Sequence, residues 1–194
     1  MKIVFASNNK NKIIEIKHQL PEDIELLSLE DIGCHEDIPE TADTIEGNAI
    51  LKANYVTQNY GFNCFADDTG LEVSALNGAP GVYSARYAGE QKNADDNMHR
   101  LLLELGNNPD RSARFKTVIA LNLNGHQHLF TGSVEGAITY EKAGEKGFGY
   151  DPVFKPEGLD MTFAEMTLDE KSQMSHRGRA VKQLTEFLRA EFQQ

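Results

Sequence analysis

Two adjacent carboxylates, Asp67 and Asp68, follow the apolar run Cys64-Phe65-Ala66 and precede Thr69-Gly70. Paired acids beside glycine-containing turns suit a divalent cation, because Mg²⁺ takes hard oxygen ligands and keeps several waters. The same residues equally suit an Asx-type turn between two strands. Thr69-Gly70 is expected to turn the chain into a second strand-like run, Leu71 to Leu76. The turn-forming cluster Asn77-Gly78-Ala79-Pro80-Gly81 follows.

A second chemically suggestive run, Ser7-Asn8-Asn9-Lys10-Asn11-Lys12, lies between a predicted buried strand, Ile3 to Ala6, and a predicted helix. That helix carries Ile13, Ile16 and Leu20 at helical spacing and is stopped by Pro21. At such a junction free backbone N–H groups and the helix dipole attract anions, and Lys10 and Lys12 add full charges. The run is a plausible phosphate cradle without the glycine pattern of a Walker loop. Ordinary capping by Ser or Asn accounts for it as well.

The third cluster is Gly144 to Phe154, where glycines around Phe148 free the backbone for close approach and leave an aromatic ring to stack. A surface loop with one anchoring aromatic is the alternative. Downstream, Thr167 and Glu170 form a capping-box pattern followed by Lys171. Ser175 is placed to cap the last helix, through Val181, Leu184 and Leu188 to Phe192. His176 and Arg177 then stand at its N-terminus, where cations are misplaced unless something anionic compensates.

The elements that must hold these groups read as alternating strands and helices. From His18 to Leu51 there is no Lys or Arg but ten acids, a run that suits a solvated face and also offers Glu40 to a shared metal. Thr44 or Asp43 is placed to cap a helix over about Ile45 to Asn59, stopped by Gly61. Lys52 on that helix is either a surface lysine or a partner for the carboxylates or a bound phosphate. Asn93 caps a helix from Ala94 to Leu105 whose buried face is Met98, Leu101, Leu102 and Leu105. A strand from Ala113 to Leu123 alternates apolar and polar residues, and Asn124-Gly125 turns it into a return strand, His126 to Val134. His126 and His128 lack a third ligand and read as structural.

Composition bounds the rest. A chain of 194 residues with net charge −11 is a globular size, and its sign argues against a nucleic-acid or membrane surface. Any phosphate is therefore held by a local site. Two cysteines at no ligand-like spacing suggest buried thiols in a reduced compartment. No segment reaches the apolar length of a membrane span, and Met1 to Phe5 is too short an apolar run for a signal peptide. A cytoplasmic location is expected.

Together these motifs resemble the inosine triphosphate pyrophosphatase (Ham1-like) family of non-canonical purine nucleoside triphosphatases. The matching runs are Ser7 to Lys12, Ala66 to Leu71, Pro80 to Tyr87, Phe148-Gly149-Tyr150-Asp151-Pro152 and Ser175-His176-Arg177. They occur in family order along nearly the whole chain. The resemblance implies one α/β domain, 1–194, with an elongated mixed sheet flanked by helices, two lobes with a nucleotide cleft between them, and a homodimer. It implies hydrolysis of a nucleoside triphosphate to the monophosphate and pyrophosphate, with Mg²⁺. By motif, Asp68 is the catalytic or metal-linked acid, with Lys52 beside it and Glu40 as a second metal ligand. Ser7, Asn8, Asn9, Lys10, Asn11 and Lys12 hold the phosphates, and Thr69 contacts substrate. Phe148, Gly149, Tyr150, Asp151, Lys171, His176 and Arg177 surround the base. Two departures stand out: the family's Glu-Asn-Ala reads Gly47-Asn48-Ala49, and the acidic pair before Thr reads Pro39-Glu40. The implied function is removal of inosine-, deoxyinosine- and xanthosine-type triphosphates from the nucleotide pool. The alternatives are a silent nucleotide-binding module and a pyrophosphatase for other modified nucleotides.

Overall fold

Short β-branched and aromatic runs alternate with helical stripes along this chain, and the computed structural model, which describes residues 1–192, resolves them into one mixed sheet with helices. The strands are β1 (Lys2–Phe5), β2 (Glu25–Leu27), β3 (Cys64–Val73), β4 (Pro80–Gly81), β5 (Ser112–Leu123), β6 (His126–Ile138) and β7 (Phe154–Pro156). Their order is β2-β1-β3-β5-β6-β7, with β4 added beside β3. β1 runs parallel to both β2 and β3, whereas β4 and β7 pair antiparallel with β3 and β6. The helices are α1 (Lys10–Gln19), α2 (Ile45–Tyr60), α3 (Ala94–Leu105), α4 (Leu168–Met174) and α5 (His176–Phe192).

The chain divides into two compact units. The first holds Met1–Asp68, Thr117–Gly132 and the chain from Arg177 on; the second holds Thr69–Lys116 and Ser133–His176. In the first, Ile3, Phe5 and Phe65 pack with Ile16 of α1 and with Val181, Leu184 and Leu188 of α5. Phe5 and Phe65 are register partners whose rings stack at 4.9 Å. The second has its own core, in which Met98, Leu101 and Leu105 of α3 meet Phe115, Val134, Phe154 and Phe163.

Local chemistry sets most of the boundaries. Asn9, Thr44 and Asn93 each accept backbone N–H groups of the following helix, and Thr167 and Glu170 close a reciprocal capping box on α4. Gly61 ends α2 in the left-handed conformation. Asn124 and Gly125 both take positive φ, the pair a two-residue hairpin needs between β5 and β6.

Four expectations are corrected. β3 does not turn at Thr69-Gly70: it stays extended for ten residues, so Asp67 and Asp68 lie mid-strand. β6 continues past Val134 to Ile138 because β7 pairs with it, and Gly136 is where a Cβ would come within 2.4 Å of the Lys155 carbonyl oxygen. β5 alternates only at its start; from Thr117 on every residue is buried, as in a strand covered on both faces. The acidic run is also not wholly a solvated face. The Glu36 carboxylate accepts from the Tyr60 and Tyr55 hydroxyls of α2 at 2.7 and 2.8 Å, and these bonds hold it down to about 2.

The cap on α2 is worth testing because this helix carries Lys52. Thr44 Oγ1 accepts from the Gly47 N–H at 3.0 Å. Thr44→Ala is expected to cost about 1 kcal/mol and lower the thermal midpoint by about 2–4 °C. An unchanged midpoint in a calorimetric scan refutes the capping role.

Candidate active site

Successive strand residues point to opposite faces, so Asp67 and Asp68 make different direct contacts although they feel some of the same cations. Asp67 lies on the Phe65 side, under α1 and α5, and is buried. Its Oδ1 accepts from Lys12 Nζ at 3.0 Å and its Oδ2 from Arg177 Nε at 3.1 Å. Arg177 Nη1 donates to Glu15 Oε2 at 2.5 Å, and the arginine is only 1% exposed. Burial alone would raise the Asp67 carboxyl, but Lys12, Arg177 and Lys52 together hold it well below the usual carboxylate range. Burial likewise works against Arg177, and Asp67 and Glu15 outweigh it, so the guanidinium is held charged more firmly than usual. The Arg177 cation at the start of α5, misplaced for a helix N-terminus, is thus compensated by two acids from elsewhere in the chain.

Asp68 lies on the other face, toward α2. Lys52 Nζ stands 3.6 Å from Asp68 Oδ1 and 2.5 Å from Glu40 Oε1, so both carboxylates converge on one ammonium. Burial raises the Asp68 carboxyl, which Lys52 and Lys12 offset only in part. Lys52 is raised: burial opposes the charge, and Asp68, Glu40 and Asp67 outweigh it. Of the two readings of Lys52, partner of the carboxylates is the one observed.

The loop after β1 sits beside these acids because β1 and β3 run parallel, with Phe5 opposite Phe65. Asn9 Oδ1 accepts from the Asn11 and Lys12 N–H groups at 3.0 and 3.2 Å, and Ser7 Oγ accepts from Asn9 N–H at 3.2 Å. Capping therefore occupies part of the predicted cradle. Lys12 turns inward to Asp67, while Asn8, Lys10 and Asn11 are exposed.

In the second unit, Asp151 organises the aromatic turn. Its Oδ2 accepts from the Phe148 N–H at 2.9 Å and from Lys171 Nζ at 2.6 Å. The Lys171 ammonium lies 5.0 Å from the centre of the half-buried Phe148 ring. Gly147 has φ +71, and a Cβ there would meet Asp151 Oδ2 at 2.0 Å, so this glycine makes room for a carboxylate of its own turn. His176 is buried and stacks on Phe115, with ring centres 4.5 Å apart. Tyr150 donates its hydroxyl to the Ser84 carbonyl at 2.7 Å. Thr69 follows Asp68 on β3.

This geometry is that of a described group of proteins. The sequence signature of the Ham1 family matches residues 3–187. The chain belongs to the Ham1 family. It is 70% identical to the dITP/XTP pyrophosphatase of Flavobacterium johnsoniae over 98% of this chain and 99% of that protein. It is 45% identical to the Bacillus licheniformis protein of the same name, over 96% and 97% of the two chains. The solved Ham1 protein of Staphylococcus aureus superposes with a TM-score of 0.90 at 44% identity, covering 98% of this chain and all of that one. The Ham1 protein of Coxiella burnetii gives 0.90 at 38% identity, over 98% and 99%. The α/β fold with a mixed sheet flanked by helices is therefore the Ham1 fold.

Gly47, where the resemblance leads one to expect a glutamate, is closely packed. A Cβ there would meet Ala42 Cβ at 2.7 Å and Thr44 Oγ1 at 2.9 Å, so the segment before α2 is packed onto the glycine itself. Asn48 holds the same segment, accepting from the Ala42 N–H at 2.9 Å. Glu15 and Ser84 were not singled out from sequence. Glu15 had one signal, its position three residues after Lys12 on the same helix face.

The buried Lys171–Asp151 pair gives a sharp test. Removing one partner of a buried pair leaves an uncompensated charge, so Asp151→Ala is expected to lower stability by about 3–5 kcal/mol. A loss below about 1 kcal/mol in urea unfolding, a value typical of exposed pairs, refutes the buried-pair reading.

Proposed function

We propose that this chain is a nucleoside triphosphate pyrophosphatase that clears inosine-, deoxyinosine- and xanthosine-type triphosphates from the nucleotide pool, releasing the monophosphate and pyrophosphate. The whole chain, 1–194, is taken as one functional domain, cytoplasmic and homodimeric. The reading rests on one observation, full-length similarity to dITP/XTP pyrophosphatases; the Asp67-Asp68 strand and its cations fit it. Among the described residues, no helix is long and apolar enough to cross a membrane.

In this reading Asp68 is the general base. A water oxygen attacks the α-phosphorus, its proton passes to an Asp68 oxygen, and the bond from that phosphorus to the β-phosphate oxygen breaks, releasing pyrophosphate. Burial supports the assignment, because it raises the basicity of the Asp68 carboxylate, an effect that Lys52 and Lys12 offset only in part. Ser7, Asn8, Asn9, Lys10, Asn11 and Lys12 hold the phosphate chain, and Lys52 offsets charge next to Asp68.

Asp68 and Glu40 fit a divalent cation. Both present hard oxygen atoms to the one point where Lys52 Nζ now stands, and Mg²⁺ is commonly held by one or two carboxylates together with substrate phosphates and water. When bound, Mg²⁺ supplies charge neutralisation for the leaving pyrophosphate and a lower pKa for the attacking water. Among the described residues, no group of three or more His, Cys, Asp or Glu side chains is gathered for a metal.

For the base, Phe148 supplies a stacking face and the Gly149-Tyr150-Asp151 turn its support. Lys171 and His176 supply donors for the 6-oxo acceptor of hypoxanthine and xanthine, where adenine presents an amine. Arg177, which the resemblance also sets at the base, gives two of its donors to Asp67 and Glu15 and so holds those acids in place.

With ITP and Mg²⁺, equal amounts of IMP and pyrophosphate are expected, with no IDP. Asp68→Asn is expected to lower kcat by about 10²-fold or more with a smaller change in KM. Chromatography of the products decides both: IDP with orthophosphate refutes attack at the α-phosphorus, and near-parental turnover of Asp68→Asn places the base elsewhere.

A further inference from the structure

The run Pro80 to Tyr87 is one of the most distinctive in the sequence, and none of the roles above uses it. Its geometry lies wholly in the second unit. β4 contains only two residues, Leu71 being paired with Gly81 and Glu72 with Pro80. Gly81 takes φ +53, which carries the backbone away from β3. The ladder therefore stops beside Leu71, whose N–H is buried and needs an acceptor. Ser84 provides it: Leu71 N–H donates to Ser84 Oγ at 2.9 Å, and that hydroxyl donates onward to the Gly81 carbonyl at 2.6 Å.

Ser84 also meets the aromatic turn. Its own carbonyl accepts the Tyr150 hydroxyl at 2.7 Å, and Tyr150 sits between Gly149 and Asp151, whose carboxylate holds the Phe148 N–H. The loop is fixed from its other side by Asn97 of α3. Asn97 Nδ2 donates to the Ala85 carbonyl at 3.0 Å, and its Oδ1 accepts from Ala88 N–H at 2.7 Å. Ser84 is thus one residue joined through its side chain to the strand of Thr69 and through its backbone to the turn of Phe148. Both hydrogen bonds are buried, where geometry is held more tightly than at a surface.

We propose that Ser84 is a positioning residue that sets Thr69 and Phe148 in one register for nucleotide binding, with the Tyr150 hydroxyl as the second half of the device. This rests on the functional reading above, which assigns Thr69 and Phe148 to substrate. Ser84 itself touches neither phosphate nor base in this scheme. Its contribution is to remove the freedom of the Thr69–Leu71 backbone relative to the turn before the ligand arrives, and such preorganisation appears in affinity.

Equilibrium binding of ITP, measured by titration calorimetry in an Asp68→Asn background so that turnover does not intervene, tests this. Ser84→Ala is expected to raise Kd about 10-fold, and Ser84→Thr, which keeps the hydroxyl, to stay within about twofold. In a Thr69→Ala background, Ser84→Ala is expected to add little further loss, because residues acting through one contact are not additive. Tyr150→Phe removes one hydroxyl and keeps the buried ring, with an expected rise in Kd of about threefold. An unchanged Kd for Ser84→Ala, even with a lowered thermal midpoint, makes the residue merely structural and overturns the proposal. So does a full, additive loss in the Thr69→Ala background. If Ser84→Ala does not fold, Tyr150→Phe decides alone, and an unchanged Kd there overturns the proposal. A parent chain that binds ITP without hydrolysing it overturns the functional reading while the Kd comparison still decides Ser84. A parent chain that does not bind ITP overturns both.

Discussion

Two carboxylates on consecutive residues of an extended strand must face opposite ways, and each must find its own cations. In this Ham1-family chain that constraint organises the first unit. Asp67 draws Lys12 from α1 and Arg177 from α5 to one face of β3, and Asp68 meets Lys52 of α2 on the other. Helices on both faces of the strand are therefore tied to it by charge, and those on the Asp67 face also by the apolar packing of Phe5, Phe65, Ile16 and Leu184. The two acids also end in opposite electrostatic states. Asp67, closed in by cations, is locked as an anion and suited to architecture. Asp68, less compensated, is pushed up by burial and suited to accept a proton.

The same arrangement explains how a chain of net charge −11 serves an anionic substrate. The overall field repels phosphate, but cations gathered in one partly buried place act over distances shorter than the ~8 Å screening length of physiological salt. Lys10 is exposed at the start of α1, close in sequence to the half-buried Lys12. The acidic excess lies elsewhere, part of it in the run before α2, where Glu36 is tied down by tyrosine hydroxyls rather than facing the site.

Features that depend on neighbours in sequence were legible without coordinates. The caps at Asn9, Thr44 and Asn93, the capping box at Thr167 and the Asn124-Gly125 hairpin all use hydrogen bonds spanning a few residues, so residue type and spacing suffice. The motif residues were also legible as a set, because their order along the chain matched one family. What was not legible depends on pairing at long range. Thr69-Gly70 looks like a turn until pairing holds it straight, and the return strand reads as ending at Val134 until β7 pairs with its continuation. Arg177 looked free to read a base because its partners lie far away in sequence, Glu15 by 162 residues and Asp67 by 110. No spacing rule connects such positions.

Gly47 carries an evolutionary consequence. With Ala42 Cβ and Thr44 Oγ1 both closer than 3.0 Å to where its side chain would begin, a side chain at 47 requires the preceding segment to shift. Glutamate at 47 would have to push the preceding segment off α2, against the Thr44 cap and the Ala42–Asn48 hydrogen bond that hold it. Removing the Ala42 methyl group first opens part of that space at little cost to the helix, because position 42 lies outside it. The reverse order passes through a strained intermediate.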